Sequence, residues 1–178
     1  MKIKHVTISQ FIILFFCACT LLQCTFTPEN KAQKKGDVFS QFYEKPVAPK
    51  IPNHDPVLME IKECLDLYTA GNYKEAAAKF EQTAINAPQK DQWIIRLYWG
   101  ICHLELNETK EALTYLNQVE PQSDYGDQAL WYRGLTHLKA QQIDAAKSVF
   151  RQIAKQENSI YQKSANQILN QIKETPSE

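Results

Sequence analysis

The chain is poor in the features that carry most enzyme chemistry. Its five glycines are scattered singly along 178 residues, so no glycine-rich loop is present to cradle a phosphate. Of five cysteines, Cys17, Cys19 and Cys24 crowd into the first 24 residues. Cys64 and Cys102 stand apart with no CxxC pairing, and they read as two buried apolar thiols. Basic and acidic residues cancel at 20 each, and the one basic cluster is Lys31, Lys34 and Lys35. The cationic face of a nucleic-acid reader is therefore missing. No Ser, His and Asp arrangement is singled out by spacing. Catalysis, a cofactor and a small-molecule substrate are not expected.

Proline is scarce beyond residue 56 but dense before it: five of the eight lie between Pro28 and Pro56. The later three, Pro88, Pro121 and Pro176, stand where helices can end. This distribution divides the chain into a leader over 1–24, a proline-rich flexible linker over 25–56, a helical array over 57–173 and a disordered tail over 174–178. In the leader, Lys2, Lys4 and His5 precede an apolar run from Phe11 to Leu22, the order of an export signal. Leu21, Leu22, Gln23 and Cys24 resemble a bacterial lipoprotein signal, although Gln23 stands where that family has a small residue. The resemblance implies diacylation of Cys24. An uncleaved anchor over about residues 6–26 is long enough to span, and simple cleavage with release is the third alternative. In either anchored case the array faces the periplasmic or outer side of a bacterial envelope.

Within the linker, Pro46, Pro49 and Pro52 recur every third residue, a pattern suited to polyproline-like stiffness. Val38, Phe39, Phe42 and Tyr43 form a stripe that would share one helical face. A solvated tether has no use for such a stripe. It either docks, on the array or on a partner, or is a transient helix in a disordered segment.

Residues 93–120 echo 34 positions later: Tyr98 falls on Tyr132, Gly100 on Gly134, His103 on His137, Leu104 on Leu138 and Ala112 on Ala146. Leu116 and Val119 fall on Phe150 and Ile153. A period of about 34 residues is one of those used by stacked helical hairpins, which bury their apolar faces only against neighbours. The segments resemble tetratricopeptide repeats. Gly100, His103, Ala112, Leu116 and Val119, and then Gly134, His137, Ala146, Phe150 and Ile153, take that family's small, aromatic, alanine, large apolar and aliphatic places. A worn earlier copy has the turn Gly71, Asn72, Tyr73 followed by Ala76, Phe80, Thr83 and Pro88, with Cys64 and Glu63 departing from the pattern. Gly100 and Gly134 are expected to let paired helices approach opposite Ala112 and Ala146. A last helix bearing Tyr161, Ala165, Ile168, Leu169 and Ile172, capped by Ser159, closes the apolar end. The expected fold is all-α: an α-solenoid of about three hairpins plus a C-terminal capping helix.

In that family the first helices line a concave groove. Here those places hold Ile61, Leu65 and Tyr68, then Leu97, Ile101 and Leu104, then Trp131, Leu135 and Leu138. All nine are apolar or aromatic, and the Lys, Arg and Asn set that grips a partner's C-terminal carboxylate is absent. The resemblance implies a non-catalytic adaptor or scaffold, holding an apolar or amphipathic segment of a protein partner in the groove. Packing between repeats is the alternative role for some of the nine. Other occupants to weigh are a second copy of the chain, as in a self-associating envelope module, or the Phe39, Phe42, Tyr43 stripe. The paired His103 and His137 invite a metal-dependent role, against which stands their place among packing residues. Asn107, Glu108 and Thr109 match a glycosylation sequon but read more simply as a turn.

Overall fold

The computed structural model describes residues 37–52 and 55–173. The leader, Cys24, the Lys31, Lys34, Lys35 group and the tail 174–178 lie outside the described residues. Among the described residues there are eight helices and no strand: α1 Val38–Phe42, α2 Pro56–Thr69, α3 Tyr73–Asn86, α4 Gln89–Glu105, α5 Thr109–Leu116, α6 Gly126–Lys139, α7 Ile143–Ala154 and α8 Gln162–Lys173. The protein is an all-helical, tetratricopeptide-like solenoid. Helices α2 to α7 form three hairpins, α8 packs on α7, and the first helices α2, α4 and α6 touch in sequence order. None of these helices is long and apolar enough to cross a membrane.

One turn geometry makes all three hairpins. In the first, the Asn72 N–H bonds the Leu67 carbonyl and the Gly71 N–H bonds that of Tyr68, both at 3.0 Å. This pair of bonds occupies two carbonyls that a helix end leaves open, and it requires a left-handed residue between them. Gly71 takes that conformation at φ 83°. The same two bonds recur from Glu108 to His103 and Asn107 to Leu104, and from Gln142 to His137 and Gln141 to Leu138. There the left-handed place falls to Asn107 at φ 64° and Gln141 at φ 58°. For Gln141 the side chain makes this conformation costly, by roughly 1–2 kcal/mol.

Between the helices of each hairpin the repeated residues stack in register. Ala76, Ala112 and Ala146 are fully buried, and so are Phe80, Leu116 and Phe150 one turn on. Burying a side chain of the latter size contributes about 1.5–3 kcal/mol. The glycines act against these larger residues more than against the alanines. A Cβ on Gly100 would lie 2.7 Å from Leu116 Cγ, and one on Gly134 would lie 2.7 Å from the Phe150 ring. At Gly134 the expected partner Ala146 is corrected to Phe150, whose bulky ring supplies the three nearest atoms, whereas Gly100 faces both Leu116 and the expected Ala112, whose carbonyl oxygen would lie 3.1 Å from such a Cβ.

Side-chain amides close two junctions. Gln92 Nε2 donates to the Ala84 and Ala87 carbonyls at 2.8 and 2.9 Å, and Gln162 Nε2 donates to the Ala154 carbonyl at 3.2 Å. Each satisfies carbonyls at the end of the preceding helix. Ser159 does what a cap residue does: its Oγ accepts from the Tyr161 N–H at 3.1 Å. Helix α8 then buries Ala165, Ile168, Leu169 and Ile172.

Candidate functional site

Residues 37–52, read from the sequence as part of a flexible linker, lie on the first helices as a strap. Asp37 opens α1, its Oδ1 accepting from the Phe39 N–H at 3.4 Å, and the helix packs on α6 and α8. Phe39 is buried, and its ring stacks on Tyr43 with centroids 4.8 Å apart. The Lys139 ammonium sits 4.9 Å from the Phe39 ring centre and donates to the Leu104 carbonyl at 3.0 Å. A cation over an aromatic face adds to the apolar burial that holds this end. Past Tyr43 the strap continues without helix to Pro52.

Each of the three first helices supplies one phenol to this strap. Tyr132 on α6 donates to the Glu44 carbonyl at 2.6 Å, Tyr68 on α2 to that of Pro46 at 2.8 Å, and Tyr98 on α4 to that of Val47 at 2.9 Å. In the opposite direction, the strap's Tyr43 hydroxyl donates to the Glu105 carboxylate on α4. Lys45 donates to the Tyr73 hydroxyl at 3.2 Å, with its ammonium 5.0 Å from the centre of the Tyr68 ring. The rings also touch one another: Tyr68 meets Tyr98 edge-on at 5.1 Å, and Tyr43 meets Tyr132 edge-on at 6.2 Å. Burial raises the phenol pKa of Tyr68, Tyr98 and Tyr132, so all three keep the proton they donate. For Tyr43, burial acts first and the bond to Glu105 acts in the same direction.

The nine residues expected along the groove are all buried, from 0% exposure at Ile61, Leu97, Ile101, Leu104 and Leu135 to 6% at Leu138. They form no open trough. Tyr68 reaches the strap with its hydroxyl, and Leu65 faces Ala48, Pro49, Lys50 and Ile51 across a recess of about 370 Å³. Trp131 stacks on Tyr161, just before α8, at 4.8 Å and meets Phe150 edge-on at 5.5 Å, and it faces Phe42, Glu44 and Pro46 of the strap across a recess of about 360 Å³. Tyr98 and Tyr132 echo each other in sequence yet were outside the expected groove set. Their signal was available: a buried aromatic with a polar tip needs a partner for that tip.

His103 and His137 secure their own turns. Nδ1–H of His103 donates to Glu108 Oε2 at 2.6 Å, and that of His137 to Gln142 Oε1 at 2.7 Å. Both bonds span the left-handed residue, one repeat apart. Cys64 and Cys102 are buried free thiols. Burial pushes the Cys102 thiol up to about 12 and raises that of Cys64, whose Sγ lies 3.5 Å from Thr83 Oγ1. Neither is a thiolate nucleophile near neutrality. A separate recess of about 430 Å³ lies where α6 and α7 meet the loop before α8. There Asp127 accepts from Ser159 Oγ at 2.8 Å, and Arg133 Nε is buried without a hydrogen-bond partner among the described residues.

Residues 128–157 match the family model for the tetratricopeptide repeat. The match spans the third hairpin, and with the all-helical stack it supports a tetratricopeptide-repeat protein. No curated protein matches the chain in sequence. Tetratricopeptide repeats are typical of non-enzymatic adaptors, and the match points to protein partners. In this chain, the face built by the first helices is occupied by a segment of the same chain.

Proposed function

We propose that the chain is a non-catalytic adaptor held at the bacterial cell envelope through its N-terminus, and that a partner's segment takes the strap's place on α2, α4 and α6. The carrying observation is the seat itself. Three phenols from three successive hairpins converge on one short stretch of main chain. Stack cohesion alone does not call for them, since a solenoid is held by contacts between adjacent repeats. A seat that recognises backbone from several helices at once is what an adaptor needs. The strap is then a resident occupant, and reach from the membrane is set by the residues before it. Envelope tethering rests on the charge-then-apolar leader and on Cys24.

The test places a photo-crosslinking amino acid at position 98 of the full chain in native membranes. The expected result is an adduct within the chain, at the strap, together with one discrete intermolecular adduct that grows when Phe39→Ala loosens the strap. An intermolecular band at twice the chain's mass assigns the partner as a second copy. Intramolecular adducts alone, with and without Phe39→Ala, would refute exchange at this face. Mass spectrometry of the mature N-terminus tests the anchor separately, with a diacylated Cys24 as the expected species.

A further inference from the structure

The strap shows what kind of segment the seat accepts. Between Glu44 and Ile51 it offers carbonyls, and the phenols of Tyr68, Tyr98 and Tyr132 take those of Pro46, Val47 and Glu44. Among the described residues, the array accepts no hydrogen bond from a strap N–H over the same stretch. The seat therefore donates to a main chain and accepts nothing from it. A helix is a poor occupant because its carbonyls are consumed internally. A β-strand is poor because half of its hydrogen-bonding capacity would be desolvated unpaired.

Polyproline geometry fits this one-sided chemistry. Its carbonyls face outward with no internal bond, and each proline removes an N–H that would otherwise need a partner. Pro46, Pro49 and Pro52 form a Pro-x-x-Pro-x-x-Pro run, and the residue before each is itself restricted to extended conformations. The segment thus arrives already shaped, with less entropy to lose on docking. Aromatic grooves with hydroxyl donors are a recurring way of reading such segments.

Resting on the exchange reading above, we infer that the face formed by α2, α4 and α6 recognises extended Pro-x-x-Pro segments of a protein partner, read through the hydroxyls of Tyr68, Tyr98 and Tyr132. The occupant presents in trans what residues 43–52 present in cis. The resident strap competes at an effective concentration of about millimolar, the order expected for a short tether. Free peptide consequently binds the intact chain weakly and the strapless chain well.

The experiment uses the full chain with residues 38–52 replaced by a Gly/Ser run of equal length, and a fluorescent peptide of residues 37–52. Anisotropy should show saturable binding at least about tenfold tighter than to the intact chain. Replacing Pro46, Pro49 and Pro52 of the peptide by Ala should weaken it about tenfold or more. Tyr98→Phe in the receptor should weaken it about fivefold, the worth of one neutral hydrogen bond. An alanine peptide that binds as well as the proline one overturns the Pro-x-x-Pro inference and leaves the seat standing. Failure of every peptide on a folded strapless chain, judged by circular dichroism, overturns the exchange reading as well. Should that chain not fold, the intact strap is tested with Tyr68, Tyr98 and Tyr132 all changed to Phe. Faster tryptic cleavage after Lys50 then supports reading by hydroxyls, and an unchanged rate overturns it.

Discussion

From α2 to α8, neighbouring helices pack through fully buried side chains such as Ala112, Leu116, Ala146 and Phe150, whereas residues 37–52 are held by phenol hydrogen bonds reaching as far as 88 residues along the chain. The first region is a near-neighbour structure: each hairpin needs only the next one. The second ties all three hairpins to a single strand of main chain. The array's contacts are dry and numerous; the strap buries Phe39 and Pro46, packs Val38, Phe42, Tyr43, Ala48 and Ile51 half-buried against the core, leaves Val47 91% exposed and adds four hydroxyl bonds. Segments with few buried apolar contacts open at lower free energy than cores. The comparison teaches that the strap should open before the stack does, an order that the proposed exchange of an occupant requires.

Phe150→Ala bears on the array and should have the largest effect. It removes a ring at 0% exposure that packs on Gly134 and Trp131, a loss of about 3–5 kcal/mol. Urea unfolding should show the midpoint collapse, with array and strap lost together. Phe39→Ala bears on the strap, and its cost is capped by the strap's own docking energy, so it should fall below the about 3–5 kcal/mol of a ring in the stack. Tryptic cleavage after Lys50 should accelerate by at least about tenfold while helix content stays nearly unchanged. A midpoint that falls as far as for Phe150→Ala would break the comparison, making strap and array one cooperative unit.

Alkaline titration separates the regions more gently. Burial holds the phenols of Tyr43, Tyr68, Tyr98 and Tyr132 above the ordinary value of 10.0, and Glu105 adds to this at Tyr43. The unfolded chain releases these protons near pH 10 while the folded chain retains them. Their contribution is thus complete below that pH and declines above it. Melting temperature followed together with phenolate absorbance should be level below about pH 9 and fall above about pH 10, with strap cleavage rising first. The Cys102 thiol, moved from 9.0 to about 12, adds a loss of the same sign beginning near pH 9 within the array. The smallest effect is a gain. Gln141→Gly relieves the left-handed conformation at φ 58° and should raise stability by about 0.5–1 kcal/mol, read as a higher midpoint with no change in strap cleavage.

Much of the stack was readable along the chain because each repeat writes the same packing problem twice. The register of Ala112 with Ala146 and of Leu116 with Phe150 locates the hairpin crossings, and Ser159 announces the last helix. The residue facing each glycine was less readable: Gly100 meets Ala112 and Leu116 together, whereas Gly134 meets Phe150, one helical turn past Ala146. The site was legible only in fragments. The Phe39, Phe42, Tyr43 stripe declared itself as something that docks or stays a transient helix, but a stripe of that length does not say on what. Tyr98 and Tyr132 stand out in the sequence only as an echo 34 residues apart, because periodicity weighs a side chain's apolar body and not the hydroxyl at its tip.

The sequence by itself determined the helical hairpins, their period and the cap, because local propensity and the spacing of small and large side chains act within one or two turns. It also determined that residues 46–52 would be extended, since proline restricts its own backbone and its predecessor's. Only the tertiary structure decided that this segment lies on α2, α4 and α6, and that Tyr68, Tyr98 and Tyr132 donate to its carbonyls. Those bonds join residues 22, 51 and 88 positions apart. A hydrogen bond between such distant groups exists only once the stack has brought the three helices side by side.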